Sequence, residues 1–368
     1  MSARFTNSGS GQKSIVSITS NGKILFSLGP HVPTASLPSV DISSGQWYTG
    51  VYNSVASRFI VFGSSLVSYS SDGLTWFSDF LGGDWFGAAS SPLGPYSNFT
   101  LIVGNAGVPT ALYSSDGGGT WNYAGDPSNG DPFSHWWSVA ICPSRGYAVA
   151  VGDNGTKNSS WYSTSGGGVW STPTNPGTGP ATTLYQLDNF TIWSSVAYLA
   201  STNTIVAVGP TGGTYSSAYV PVGTFSFTGT NLYSPGRAWW DGSDPSIVAA
   251  GASNFVAMNS SGYTATSTDG SSWTTGTNYG PVTVSGGTSW SGLAYSTKLG
   301  SFLAVAQNGV VAQSTDGSTW SLYINVSSLT GTNITGGTFG SNYITTGPNY
   351  TAIILNGPFQ TPQVIKLA

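Results

Sequence analysis

The chain contains no glutamate. All thirteen of its acidic residues are Asp, set against nine Lys and Arg, so 6% of 368 residues are charged and the formal net charge is -4. An average soluble domain carries about 25% charged residues. The basic residues are Arg4, Arg58, Arg145, Arg237, Lys13, Lys23, Lys157, Lys298 and Lys366. They are too few and too scattered for a nucleic-acid surface, which needs clustered cations to meet phosphates. A single Cys, Cys142, excludes an internal disulfide, and two His, His31 and His135, leave little for a His-based metal site. No metal and no cofactor is expected. No apolar run approaches the ~20 residues that cross a bilayer as a helix, so membrane insertion is not expected. The first ten residues lack the apolar core of a secretory signal.

What is abundant is glycine and aromatic side chains: 51 Gly, 14 Trp, 19 Tyr and 16 Phe. With 39% hydrophobic residues the chain has ample core material, which excludes disorder. The glycines follow no three-residue period, which excludes collagen. Ser, Thr, Asn and Gly do the solvating that Lys and Glu do in most cytosolic proteins. Sequons such as those at Asn98, Asn189 and Asn333 are read as a by-product of that composition rather than as glycan sites.

A repeat organises the sequence. Five segments end a short turn on Trp: residues 70–76 (Ser-Ser-Asp-Gly-Leu-Thr-Trp), 114–121 (Ser-Ser-Asp-Gly-Gly-Gly-Thr-Trp), 163–170 (Ser-Thr-Ser-Gly-Gly-Gly-Val-Trp), 267–273 (Ser-Thr-Asp-Gly-Ser-Ser-Trp) and 314–320 (Ser-Thr-Asp-Gly-Ser-Thr-Trp). A decayed copy near Tyr215 places Phe225 where Trp would stand. The closing aromatics fall at 76, 121, 170, 225, 273 and 320. Ahead of each turn a Trp opens one run (Trp47, Trp85, Trp137, Trp193, Trp290, with Trp240 just ahead of its run). A second β-branched run follows, such as Phe59–Gly63, Leu101–Gly104, Val149–Gly152 and Ile205–Gly209. Short runs of this kind between Gly, Asn and Ser read as strands, and no helical period appears.

Four strands every ~45 to 50 residues predict an all-β fold: a seven-bladed β-propeller of four-stranded antiparallel blades. The whole chain, 1–368, is read as this one domain, with 1–12 and 356–368 as terminal extensions. The last blade, assembled from Phe339–Gly340, Tyr343–Thr346 and Thr351–Leu355, lacks its own turn. Ser14–Ile18 and Lys23–Phe26, joined by an Asn21-Gly22 turn, are therefore expected to pair with it and close the ring.

The repeated turn resembles the Asp-box, or BNR repeat, with its pattern Ser-x-Asp-x-Gly-x-Thr-Trp. Residues 114–121 match fully; 70–76, 267–273 and 314–320 are one residue shorter; 163–170 carries Ser165 in place of Asp. The resemblance implies a structural role for Asp72, Trp76, Asp116, Trp121, Trp170, Asp269, Trp273, Asp316 and Trp320. Asp accepts its own turn's amides, Gly supplies positive φ, and Trp fills the space between blades. In Asp-box proteins these turns lie on the face opposite the usual ligand site.

That other face carries long loops: Phe77 to Asp84, Asn122 to Trp136, Ser171 to Ile192, Ser226 to Asp244 and Thr274 to Ser289. Candidate ligand-binding residues there are Asp126, Asp131, His135 and Trp136, then Asp153 and Lys157, then Arg237, Trp239, Asp241 and Asp244. Aromatic rings beside Asp, Asn or Arg suit sugars, whose apolar faces stack while their hydroxyls hydrogen-bond. The plainer reading is that Trp136 and Trp239 pack at the heads of blades and the Asp residues shape turns. Carboxylate and carbonyl oxygens at Asp126, Asn129 and Asp131 suit calcium, but their spacing is not that of an EF-hand and no calcium site is expected. Cys142 reads as a buried, inert thiol.

Asp-box propellers with enzymatic activity include the sialidases, whose three Arg, acid/base Asp and Glu-activated Tyr cannot be assembled here: Glu is absent and Arg is scarce. A second class resembling this chain comprises photosystem assembly factors, which are expected to show charged patches. The third class is phage tail and host-recognition proteins. A weakly charged surface suited to the outside, without an export signal, favours this class. The expected function is therefore a non-catalytic virion structural, decoration or host-recognition protein at the virion or extracellular surface. Its expected partners are other virion proteins or host-surface glycans. A free-standing lectin is the nearest alternative; a glycoside hydrolase or an assembly scaffold stands further off.

Overall fold

Alternating apolar strands punctuated by Gly and Ser can bury themselves only as sheets, and sheets are what form. The computed structural model describes residues 13–17, 24–28, 47–71, 75–91, 98–105, 110–124, 135–143, 147–153, 160–163, 194–209, 219–220, 222–226, 236–237, 247–270, 272–275, 284, 290–297, 299–306, 310–325, 343–346, 351–355 and 363–367. Every regular element among them is a β-strand, and every pairing is antiparallel.

β1 (Lys13–Ser17) and β2 (Ile24–Leu28) pair with each other. A six-stranded sheet follows in sequence order: β3 (Trp47–Asn53), β4 (Arg58–Ser70), β5 (Phe77–Ser91), β6 (Phe99–Asn105), β7 (Ala111–Ser114) and β8 (Asn122–Tyr123). The next sheet is β9 (His135–Cys142), β10 (Tyr147–Asp153) and β11 (Ser160–Ser163). β12 (Ser195–Leu199) and β13 (Thr204–Val208) pair onward to β15 (Val222–Ser226), while β14 (Tyr219–Val220) and β16 (Gly236–Arg237) form a small pair of their own. Two complete four-stranded sheets come next. The first is β17 (Ile247–Ala250), β18 (Phe255–Met258), β19 (Thr264–Ser267) and β20 (Thr274–Thr275); the second is β21 (Trp290–Ser296), β22 (Ser301–Ala306), β23 (Val310–Ser314) and β24 (Ser321–Asn325). The last sheet is β25 (Tyr343–Thr346), β26 (Thr351–Leu355) and β27 (Gln363–Leu367).

The second strand of each unit explains the unbroken apolar runs. β6 is buried from Phe99 to Gly104, and β13, β18 and β22 are buried along their whole length. A strand covered on both faces has no polar side to alternate with. Its neighbours are the sheets before and after it. One cluster joins Ala249, Val256 and Met258 of β17 and β18 to Trp290, Phe302 and Ala304 of β21 and β22. Another joins Phe99, Leu101 and Val103 of β6 to Trp136, Val139 and Ala148 of β9 and β10. The first strands lie side by side in succession: β3 by β5, β5 by β9, β9 by β12, β12 by β17, β17 by β21, β21 by β25, and β25 by β3.

Three features differ from the sequence expectation. Phe59–Gly63 and the run before the first Asp-Gly turn are one strand, β4, with Ser65 at φ 60 inside it. Likewise the fourth strand after Trp76, the loop expected from Phe77 to Asp84 and the next first strand run on as β5, with Gly82 and Gly83 at φ 71 and 73 taking up the irregularity. Phe225 does not open a fourth strand: it sits in β15, opposite Ile205 of β13, and so occupies the third place in its sheet. At the termini, β1 and β2 form the expected pair, but the last sheet takes its third strand from β27, within the segment expected as a terminal extension. β1 lies alongside β27 without being its hydrogen-bonded partner.

Candidate functional site

The carboxylates of the repeated Asp-Gly turns face inward on their own turns. Ser114 Oγ donates to Asp116 Oδ1 at 2.7 Å and accepts from the Gly118 amide at 2.7 Å. The amides of Gly119 and Thr120 donate to Asp116 Oδ1 at 2.8 and 2.9 Å, and the Thr120 hydroxyl donates to Oδ2 at 2.7 Å. Asp316 repeats this with Ser314 Oγ and the amides of Ser318 and Thr319, and Asp269 with Ser267 Oγ and the amide of Ser272. Partial burial works to raise the Asp116 pKa, but the donors from Thr120, Ser114 and Gly119 outweigh it and hold it down at about 2. Asp316 is lowered in the same way, burial again being outweighed, here by the Thr319 and Ser318 amides and Ser314.

The turns at 114–121 and 314–320 lean on strands that come earlier in the chain. A Cβ on Gly117 would lie 2.3 Å from Ala56 Cβ, and one on Gly118 2.9 Å from Ile60 Cδ1. Thr264 Oγ1 donates to the Gly317 carbonyl at 3.0 Å and Asn254 Nδ2 to the Asp316 carbonyl at 3.1 Å. The Trp side chains do likewise: Trp121 meets Phe62 edge-on at 5.3 Å, and Trp320 packs with Ala249, Val256 and Met258. Ala56 belongs to the turn between β3 and β4, so the Asp-box turns share one end of the molecule with the turns joining first and second strands.

At the opposite end, where first strands begin, the same irregularity recurs. Trp47 opposes Gly63 while Thr49 opposes Phe62; Trp85 opposes Gly104 while Gly87 opposes Val103; Trp136 opposes Gly152 while Ser138 opposes Val151; Trp290 opposes Ala306 while Gly292 opposes Val305. Each is a β-bulge, and the extra residues are Tyr48, Phe86, Trp137 and Ser291. Glycine is required opposite two of them, since a Cβ on Gly104 would sit 1.9 Å from the Asp84 carbonyl oxygen and one on Gly152 2.0 Å from that of His135. Bulges re-aim side chains. Trp47, Trp85 and Trp136 go into the core, whereas Tyr48, Phe86 and Trp137 stay half-buried outside the apolar clusters.

Those three rings form a row across three neighbouring strands. Tyr48 and Phe86 are 4.7 Å apart between centroids, Phe86 and Trp137 4.8 Å, and His135 stacks on Trp137 at 5.7 Å and 10°. Burial raises the Tyr48 pKa, the Asp84 charge adds to this, and a hydrogen bond with Ser64 works against it. Trp137 Nε1 is buried without a hydrogen-bond partner.

Of the expected ligand residues, His135 lies in this row. Trp136 is 1% exposed and fills the core between β6 and β10, so it takes the packing role and leaves the ligand set. For Asp153 and Arg237 only the backbone is described: Asp153 pairs with His135 across β10 and β9, and Arg237 with Tyr219 across β16 and β14. Asp126, Asp131, Lys157, Trp239, Asp241 and Asp244 lie outside the described residues, as do Asp72 and Trp170 of the repeated turns and Asn129 of the calcium reading. Trp76 packs beside Trp47, Phe59 and Val61, and Trp273 beside Phe255. Cys142 is buried, its thiol donating to Asn203 Oδ1 at 3.2 Å. No group of three or more His, Cys, Asp or Glu that could hold a metal exists among the described residues. The row of Tyr48, Phe86 and Trp137 was not expected from the sequence, although a trace is there: in three repeats a Trp and a second aromatic residue stand side by side where the first strand begins.

No protein-family model matches the chain, and no curated protein matches it. Solved structures do. YCF48 bound to a D1 peptide is similar at TM-score 0.59 and 16% identity, over 89% of this chain and 95% of that one. YCF48 from Cyanidioschyzon merolae matches at TM-score 0.57 and 15% identity, over 88% and 96%. The β-propeller domain of Myceliophteria thermophila Cps50 (Swd1) matches at TM-score 0.59 and 10% identity, over 89% and 98%. At such low identity the likeness speaks for architecture alone, and together with the sheets described above it makes this chain a β-propeller.

Proposed function

We propose that the chain is a seven-bladed propeller with a closed ring and no catalytic task, serving as a structural or host-recognition part of a virus particle that holds surface carbohydrate. The cyclic succession of first strands from β3 round to β25 and back to β3 supports seven blades and closure, and the approach of β1 to β27 supports a joint between the chain ends. One observation carries the binding role: at the end where first strands begin, a row of half-buried rings stands beside the Asp84 carboxylate. Glycoside hydrolysis needs two carboxylates about 5 to 10 Å apart. Asp79, on the same strand as Asp84, accepts from the Tyr69 hydroxyl, and the described Asp116, Asp269 and Asp316 lie at the other end, committed to their turns. The weakly charged surface, rich in Ser, Thr, Asn and Gly, supports placement outside cells.

Mass spectrometry of purified virus particles tests the placement. The protein should be found as a stoichiometric component; its absence, combined with sugar binding by the isolated chain, would leave a free-standing lectin. A peptide-binding role is the second reading, favoured by the similar YCF48 structure that carries a peptide. Cross-links from the aromatic end to a second polypeptide in intact particles would select it.

A further inference from the structure

The bulges do something the Asp-Gly turns do not: in β3, β5, β9 and β21 they put one extra side chain on the same end of the molecule. In three consecutive units that residue is Tyr48, Phe86 or Trp137. In β21 it is Ser291, and after Trp193 the corresponding residue is Ser194. Were rings needed simply to fill the space between first strands, every unit would supply one. Instead aromatic surface is confined to an arc, and small hydroxyl-bearing residues take the remaining described positions. The three rings are tilted 56° and 42° to one another, with His135 lying nearly parallel to Trp137.

We infer that this arc is a stacking site for the uncharged pyranose rings of a glycan chain. Rings that remain half-buried, outside the clusters between blades, offer apolar faces to the C–H side of a sugar. Polar groups to meet its hydroxyls stand at the same end: the Tyr48 and Ser64 hydroxyls, the Asp84 carboxylate and the imidazole of His135. Charge selects the class. Asp84 repels anionic sugars, and the single cation among the described side chains, Arg58, lies over Tyr69 beyond the far end of β3, where it pairs with Asn53. The arc therefore takes neutral oligosaccharides in preference to sialylated or uronic ones. This rests on the carbohydrate part of the function proposed above.

The test is calorimetric titration of the full chain with cellohexaose, maltohexaose, laminarihexaose and 3′-sialyllactose. At least one neutral hexasaccharide should bind and sialyllactose should bind more weakly. Trp137→Leu and Phe86→Leu, which keep apolar bulk but remove the ring, should each weaken that binding about tenfold, while Asp116→Ala at the opposite end leaves it unchanged. Neutral sugar binding that survives both Leu variants overturns the site and leaves the function standing. Equal or tighter binding of sialyllactose overturns the charge selection. Failure of every glycan, here and on a broad array, removes the carbohydrate function and the site with it. Should a Leu variant fail to fold, saturation-transfer NMR on the unmodified chain replaces it: magnetisation must pass from aromatic protons to sugar C–H protons, and no transfer in a binding mixture overturns the site.

Discussion

A carboxylate that accepts several amide hydrogens is both a strong turn former and a poor catalyst. Asp116 illustrates both, with donors from Gly119, Thr120 and Ser114 committed to its two oxygens. Asp116→Ala removes them from a turn that is open to solvent. It should cost about 1 to 2 kcal/mol, as loss of a comparable side-chain cap does, and lower Tm by a few degrees at neutral pH. The pH dependence has a definite sign. Because the folded pKa lies at about 2, below the ordinary 3.8, the carboxylate's stabilisation is complete above the unfolded value and lost as pH falls through the folded one. The Tm gap between the unaltered chain and Asp116→Ala should therefore narrow between pH 4 and 2. A gap that stays constant there would mean the turn does not depend on the charge. Cys142 gives a second residue-scale expectation. Buried, and donating to an Asn203 that also accepts from Tyr198, it should resist thiol reagents until the protein unfolds.

At the scale of the element, the bulges at Trp85 and Trp136 depend on glycine in the strand beside them. Gly104→Ala and Gly152→Ala would drive a methyl group into the carbonyls of Asp84 and His135. Each should destabilise by at least about 1 to 3 kcal/mol, read from the urea midpoint. Gly300→Ala is the control: its φ of 58 is unfavourable for Ala, yet a methyl there meets open space, so the loss should stay near 1 kcal/mol. The second strands and the Asp-box turns were legible in the sequence because both are local signals, an apolar run or a Ser-x-Asp-Gly turn. The merging of strands into β4 and β5, the place of Phe225 in β15 and the pairing of β27 were not legible, since each is decided by which neighbour is available rather than by the residues themselves. The aromatic row lay between these cases. Trp47-Tyr48, Trp85-Phe86 and Trp136-Trp137 are visible as pairs, but a two-residue period gives no hint that a bulge sends their second members to a common row. At Trp136 and Trp137 the sequence alone does not tell which ring is buried: Trp136 is in the core and Trp137 is half-buried.

For the whole molecule, the decisive surfaces are the two sides of each sheet, since the buried second strands have sheets on both. Removing an end therefore matters more than its few residues imply. Ending the chain after Leu355 deletes β27 and leaves the Thr351–Leu355 edge of β26 without its five partners, Leu367 to Gln363. An uncovered edge invites pairing with other chains, so this truncation should lower Tm and produce concentration-dependent aggregates by light scattering. A truncated chain that stays monomeric with unchanged Tm would show that β27 is dispensable. Removal of residues 1–28 tests the proposed joint between the chain ends in the same way.

The described Asp-Gly turns at 114–120 and 314–320 settle onto strands made from earlier residues, Ala56 and Ile60 in one case, Val256 and Thr264 in the other. A ribosome delivers sheets in that same order, so each newly emerged hairpin finds its dock already built behind it. Folding during synthesis can then proceed as a ratchet from the amino terminus onward, with little apolar surface left waiting. The first sheet alone has no predecessor, and its outward side must wait for the last segment to leave the exit tunnel.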